Sequence, residues 1–127
     1  MRKLFLIAAL FLTSIQVNAR TYIDMGEFKL TAYCPCEECS EGWGVKTYSG
    51  KIAEEGRTIA VDRSVIDIGS KVKIGDHIYT AEDIGGGVKG DHIDIFFDSH
   101  EEVKAFNDGK GIKYTNVWVV RDNEEEK

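Results

Sequence analysis

Residues 77–97 read HIYTAEDIGGGVKGDHIDIFF. Two runs rich in β-branched and aromatic residues, His77–Asp83 and Asp91–Phe97, enclose a glycine-rich stretch, Gly85-Gly86-Gly87-Val88-Lys89-Gly90. Side chains alternate faces along a strand. In the second run Ile93, Ile95 and Phe97 therefore share one face, suited to a core, and His92, Asp94 and Phe96 share the other. In the first run Asp83 shares a face with Tyr79 and Ala81. Aspartate is a poor strand former, so Asp94 in the middle of its run asks for a reason beyond the strand itself. The glycine stretch is not a phosphate-binding loop, because Lys89 is followed by Gly90 rather than Ser or Thr and no helix follows. It reads either as a flexible hairpin or as backbone that a ligand can approach closely, with Lys89 at hand for a polar group.

The same pattern extends outward on both sides. Phe28–Tyr33 and Thr58–Asp62 alternate, with Ile59 and Val61 pointing inward and Asp62 on the face of Thr58 and Ala60. Lys71–Ile74 and His77–Asp83 flank Gly75-Asp76, a two-residue hairpin turn. Asn116–Val120 is a last strand. One helix stands out: Ser99-His100-Glu101-Glu102 is a capping box, Val103 and Phe106 face the core, and Gly109 ends the helix. A turn is expected near Ser64–Asp67. Many short strands between glycines indicate a small barrel or sandwich, mostly β. A weak echo, Val61-Asp62 before Ile68-Gly69-Ser70-Lys71 and Glu82-Asp83 before Ile84-Gly85, hints at a pseudo-two-fold arrangement.

Three strands thus each carry an aspartate: Asp62, Asp83 and Asp94. For Asp62 and Asp83, at strand ends, turn chemistry is an equally good explanation. His77, His92 and His100 show no metal spacing; His100 reads as exposed, and His92, on the face of Asp94, could line a cleft but reads more readily as a surface residue. Cys34, Cys36 and Cys39 lie within six residues of one another. The leading expectation is a disulfide of Cys39 with Cys34 or Cys36, leaving one thiol free. Zinc would need a fourth ligand, and none is evident in the sequence. Reduced buried thiols are the third option. No metal and no cofactor are expected.

At the N-terminus Arg2 and Lys3 precede an apolar run, Leu4–Leu12, and Val17-Asn18-Ala19 offers small residues for cleavage. That order is the layout of a secretory signal peptide, too short in its apolar part to span a bilayer comfortably. The expectation is a secreted location with no membrane partner after removal. The formal net charge is −6, which disfavours nucleic acid, since phosphate contacts need clustered Lys and Arg. The chain divides into a signal peptide (1–19), a short segment (20–27), one domain (28–120) and an acidic tail (121–127).

Taken together, Thr31-Ala32-Tyr33-Cys34-Pro35-Cys36, Ser49-Gly50, Ala60-Val61-Asp62, Ile68-Gly69, Asp83-Ile84-Gly85-Gly86, Val88-Lys89-Gly90, His92-Ile93-Asp94 and Val117-Trp118-Val119 resemble, in this order, the 3D (three-aspartate) domain of bacterial cell-wall proteins. The resemblance covers nearly all of 28–120. It implies a six-stranded double-psi β-barrel with one or two short helices. It also implies kinship with MltA-type lytic transglycosylases and, more distantly, with expansins. It carries the catalytic acid over to Asp94, supporting roles to Asp62 and Asp83, and a sugar contact to Lys89. Gly86, Tyr33, Thr31 and Ser49 fall on the substrate side. The stretch Glu41–Tyr48 departs from the family's form, with bulky Tyr48 where small residues usually precede Ser-Gly.

The implied activity is cleavage of peptidoglycan glycan strands between MurNAc and GlcNAc, leaving a 1,6-anhydro-MurNAc end. Two alternatives share the barrel. An inverting hydrolase needs two carboxyl groups about 6.5–9.5 Å apart. An expansin-like binder holds wall glycan without cutting it.

Overall fold

The computed structural model describes residues 19–108 and 113–123. Six strands close into a ring in the order β1-β5-β2-β4-β3-β6. They are β1 (Arg20–Tyr33), β2 (Thr58–Val61), β3 (Lys71–Ile74), β4 (His77–Asp83), β5 (His92–Phe96) and β6 (Lys113–Asp122). The contacts β1–β5 and β2–β4 are parallel and the other four antiparallel. The expected six-stranded barrel is therefore present, with two short helices, α1 (Glu37–Ser40) and α2 (His100–Asp108). No helix among the described residues is long and apolar enough to cross a membrane. The expected signal peptide and the end of the helix at Gly109 lie outside the described residues.

Exchanging β1-β2-β3 for β4-β5-β6 leaves the ring order and every strand direction unchanged. That two-fold relates the end of β2 to the end of β5. The sequence echo instead compares the ends of β2 and β4, which are parallel neighbours. A pseudo-two-fold exists, but the echo does not report it.

β1 is much longer than its alternation suggests. Residues 20–27, expected as a separate segment, pair with β6 from Arg20↔Asp122 onward, with a bulge between Asp24 and Gly26. Arg121 and Asp122, expected in the tail, are in the same ladder, and Arg20 pairs with Asp122 at 3.0 Å. The Gly75-Asp76 hairpin is as expected, closing Ile74↔His77. The Asp62 carbonyl accepts from the Val65 and Ile66 amides, which makes the expected turn.

The barrel interior is filled by Phe28, Ile59, Val61, Val72, Ile93 and Val117, all nearly or fully buried. A second, smaller cluster forms on the outer face: Tyr33, Ala53, Ala60, Val88 and Phe96. Phe96 is thus buried although it shares a face with Asp94.

Between β2 and β4 the register slips by one residue. Ile59 pairs with Ala81, but Ala60 pairs with Asp83. Glu82 is the extra residue, and a bulge of this kind re-aims the side chains beyond it. Asp83 therefore leaves the face of Ala81, where strict alternation puts it, and joins the face of Ala60. Glu82 itself is 1% exposed. Its carboxylate accepts from Arg57 Nε at 2.9 Å and Thr58 Oγ1 at 2.7 Å. A buried carboxylate is tolerated only when it is paired and hydrogen-bonded. Removing one partner leaves the charge stranded, so Arg57→Ala should destabilise the protein by about 3 kcal/mol. Urea denaturation measures this directly; a change below about 0.5 kcal/mol, the usual scale of surface substitutions, would show that the bulge does not depend on the pair.

Candidate active site

Asp94 lies on β5 directly opposite Thr31 of β1 on one side and Ala60 of β2 on the other. Asp83, on β4, is the other neighbour of Ala60. The barrel therefore sets two carboxylates on either side of one buried alanine. Tyr33 lies two residues beyond Thr31 and packs edge-on against Phe96, with ring centroids 5.3 Å apart. Its hydroxyl donates to Asp83 Oδ2 at 2.9 Å. Burial and the nearby Asp83 charge both push the Tyr33 hydroxyl up, so it stays a donor.

The three aspartates differ in what occupies their oxygens. Asp62 Oδ1 accepts from the Ser64 amide (3.0 Å) and hydroxyl (2.7 Å), and its Oδ2 accepts from the Gly90 amide (2.9 Å). These bonds, the Gly90 amide first, bring its carboxyl down to about 2. Asp83 Oδ1 accepts from the Tyr48 amide at 3.1 Å and the Ile84 amide at 2.9 Å, besides Tyr33 on Oδ2. Asp94, half-buried, has one such partner, the Thr31 hydroxyl at 2.9 Å. Burial, reinforced by the charge of Asp83 and opposed by the Thr31 bond, raises Asp94 to about 6.

His92, expected at the surface, is half-buried and joins this group. Its Nδ1 lies 3.1 Å from the Gly87 carbonyl, which can only accept, so Nδ1 carries a hydrogen. Its Nε2 lies 2.7 Å from Thr31 Oγ1. Thr31 has one hydroxyl hydrogen and two neighbours that accept it. Both contacts are satisfied only when the trio holds one further proton. That proton sits either on Asp94, which then donates to Thr31, or on Nε2, with Thr31 donating to Asp94. Burial lowers the His92 imidazole while it raises the Asp94 carboxyl. The two proton affinities are thereby drawn together, which suits a shared proton.

The glycine loop is held at two points, by Asp62 at Gly90 and by His92 at Gly87. Lys89 is exposed between these anchors and Gly86 just before the first of them, and the Lys89 charge acts on Asp62. Ser49 is exposed on the opposite edge, its amide donating to the Glu82 carbonyl at 2.9 Å. Beside it Tyr48, the departure from the family form, is 52% exposed and stacks under Arg63, whose guanidinium carbon is 5.3 Å from the ring centroid. Trp43 is 70% exposed on the same loop. Thr31, Asp94 and His92 thus form one hydrogen-bonded group and Tyr33 and Asp83 a second, which acts on the first through the Asp83 charge, while Asp62 and Lys89 belong to the loop anchor. Sequence reading placed His92 beside Asp94 but favoured the surface for it, and did not single out Glu82. For His92 the signal was its shared face with Asp94; for Glu82 it was a carboxylate inside an apolar run.

Cys34, Cys36 and Cys39 gather at the start of α2. All three thiols are free, and His100, expected to be exposed, is half-buried beside them. Ser99 caps α2 as expected, its hydroxyl accepting from the Glu102 amide at 3.2 Å.

Comparison with known proteins gives a consistent picture. Over 65 residues the chain is 40% identical to the cell wall-binding protein YocH of Bacillus subtilis (strain 168), a match spanning 50% of this chain and 21% of that protein. Among solved structures, MltA from E. coli superposes with a TM-score of 0.50 at 27% identity, covering 61% of this chain and 28% of MltA. MltA with bound chitohexaose gives 0.50 at 25% identity over 63% of this chain and 28% of that one. The lytic transglycosylase LtgG of Burkholderia pseudomallei shares the fold, with a TM-score of 0.51 at 22% identity over 62% of this chain and 27% of LtgG. The chain spans less than a third of each of these proteins. The family model described as the 3D domain matches residues 57–121, just over half of the chain, and the chain belongs to the 3D domain family.

Proposed function

We propose that this protein acts outside the cytoplasm on peptidoglycan glycan strands as a lytic transglycosylase, with Asp94 as its single acid and base. The observation that carries this reading is the unequal occupancy of the three carboxylates. Asp62 and Asp83 each already accept three hydrogen bonds, whereas Asp94 accepts one and is raised to about 6. An inverting hydrolase needs a second free carboxylate to activate water. A lytic transglycosylase needs one carboxyl group that works twice. The similarity to MltA, one structure of which holds chitohexaose, supports a β-linked amino-sugar chain as the ligand.

In this mechanism protonated Asp94 donates to the glycosidic oxygen as the bond from muramic acid C1 breaks. The resulting carboxylate then takes the proton from the C6 hydroxyl of the same sugar. That oxygen closes on C1, which yields the 1,6-anhydro ring and returns the proton to Asp94. Water is not consumed. Asp83 keeps the proton affinity of Asp94 high, Thr31 and His92 hold the proton in place, and Tyr33 orients Asp83. The loop anchored by Asp62 presents Gly86 and Lys89 to the glycan, and Ser49 borders the other edge.

A second reading, wall binding without cleavage, is favoured by the name of the Bacillus relative and by the exposed rings of Trp43 and Tyr48, which offer stacking faces for sugars. One experiment separates the two. Purified sacculi are incubated with wild type and Asp94→Asn, and the released muropeptides are read by mass spectrometry. Anhydro-muramyl ends should appear with wild type and fall by at least about 10²-fold in the variant. Reducing ends would mean hydrolysis. Wall pull-down with no release from wild type would mean binding alone, and full activity of Asp94→Asn would remove the acid from Asp94.

The pH profile supplies an independent check. The acid must be protonated to donate, so activity falls as pH rises through about 6. The Asp83 charge raises Asp94, so Asp83→Asn should lower the Asp94 pKa and move the falling limb to lower pH. An unmoved limb would show that another group titrates there.

A further inference from the structure

The geometry points to a structural zinc site formed by Cys34, Cys36, Cys39 and His100. The three thiols come from the residue after β1, the N-cap of α1 and α1 itself, and the imidazole comes from the first residue of α2, more than 60 positions away in the chain. Their four ligand atoms all lie within 4.8 Å of one another. His100 Nδ1 is 3.8 Å from Cys34 Sγ, 3.7 Å from Cys36 Sγ and 3.4 Å from Cys39 Sγ, while Cys34 Sγ and Cys36 Sγ are 3.2 Å apart.

Around a tetrahedral zinc, with bonds of about 2.3 Å to sulfur and about 2.0 Å to nitrogen, sulfur and nitrogen stand about 3.5 Å apart and two sulfurs about 3.8 Å. The three sulfur–nitrogen distances bracket the first value, and a small opening of the Cys34–Cys36 pair reaches the second. A disulfide would account for two of the sulfurs and not for an imidazole nitrogen in contact with all three. The donor chemistry agrees: three thiolates and one neutral imidazole form a soft set that suits zinc over magnesium or calcium. Four protein ligands leave no open position, so the site is structural and supplies no metal-bound water. The Cys39 amide, 3.4 Å from Cys36 Sγ, gives one sulfur a hydrogen-bonded surround of the kind that orients metal ligands.

The surroundings show what such a site is for. α1 buries none of its residues, and the loop that follows exposes Trp43, Val45, Tyr48 and Ile52. Apolar packing therefore does little to hold this segment. Cys34 directly follows Tyr33, which pairs with Phe96 at the end of β5, and His100 follows four residues after Phe96. The metal would tie together the ends of the two parallel strands that carry Thr31 and Asp94, and so hold Tyr33 against Asp83. This inference does not depend on the chemistry assigned to Asp94.

The purified protein, prepared under reducing conditions without chelator, is assayed by elemental mass spectrometry and then exchanged with Co²⁺. One zinc per chain is expected, and the cobalt form should show the intense visible d–d bands of a tetrahedral ion and a thiolate charge-transfer band. In competition with a chromophoric chelator, His100→Ala should weaken zinc binding by more than about 100-fold, exceeding the usual loss of an outer-shell partner. Removing zinc from wild type should lower its Tm. Folded wild-type protein that holds no zinc and takes up no cobalt after reduction would overturn the proposal. So would an intact mass lower by two hydrogens with no metal bound, the mark of a disulfide.

Discussion

A buried carboxylate governs the geometry of the site. Glu82 is held by Arg57 and Thr58 inside the outer layer of the barrel, and it occupies the one-residue slip between β2 and β4. Because side chains along a strand alternate with a period of two, a slip of one residue transfers everything beyond it to the opposite face. Asp83 is thereby moved from the core side to the side of Ala60, where its charge reaches Asp94. The ion pair need not add net stability to matter in this way, since burying charges is costly even when they are paired. Its consequence is positional: the pair fixes where the bulge falls, and the bulge fixes which carboxylates meet.

The site that results assigns unequal work to three similar residues. Asp62 spends its oxygens on the Ser64 turn and the Gly90 amide, and so anchors one end of the glycine loop. Asp83 spends its oxygens on Tyr33 and two backbone amides while its charge acts on its neighbour. Asp94 is left with a hydroxyl partner that it shares with His92. A carboxyl group in that condition can hold a proton in a range where free aspartate does not. Glycosidic cleavage without a second catalytic carboxylate asks for such a group, which is why the proposed reaction and the hydrogen-bond pattern agree.

Support for the site comes from outside the barrel as well as from within it. The small cluster of Tyr33, Ala53, Ala60, Val88 and Phe96 is the apolar floor beneath it. The cysteine loop and α2 meet at the ends of β1 and β5, just past that floor. A domain of this size has limited interior to stabilise long exposed segments. A cross-link made by cysteine and histidine side chains is a physical means of ordering a loop that has almost no buried apolar surface.

The local pattern of the chain was enough to read most of the strands, the Gly75-Asp76 hairpin, the Ser99 cap and the inward faces of β2 and β5, because these depend on alternation and turn chemistry within a few residues. Thr31, Tyr33, Asp83 and Asp94 were all singled out on motif order. Other features were not legible there. The extension of β1 to Arg20 rests on pairing with a strand some hundred residues away. The face of Asp83 follows from the Glu82 bulge, which interrupts the period that sequence reading assumes. His92 gains its role only when β5 lies beside β1, and His100 becomes a fourth ligand beside three thiols only when α2 packs back onto the end of β1. Sequence by itself determined which residues alternate and where the chain turns, since those are short-range constraints. The tertiary structure alone decided which distant side chains share a proton or a metal, because those contacts exist only once the ring has closed.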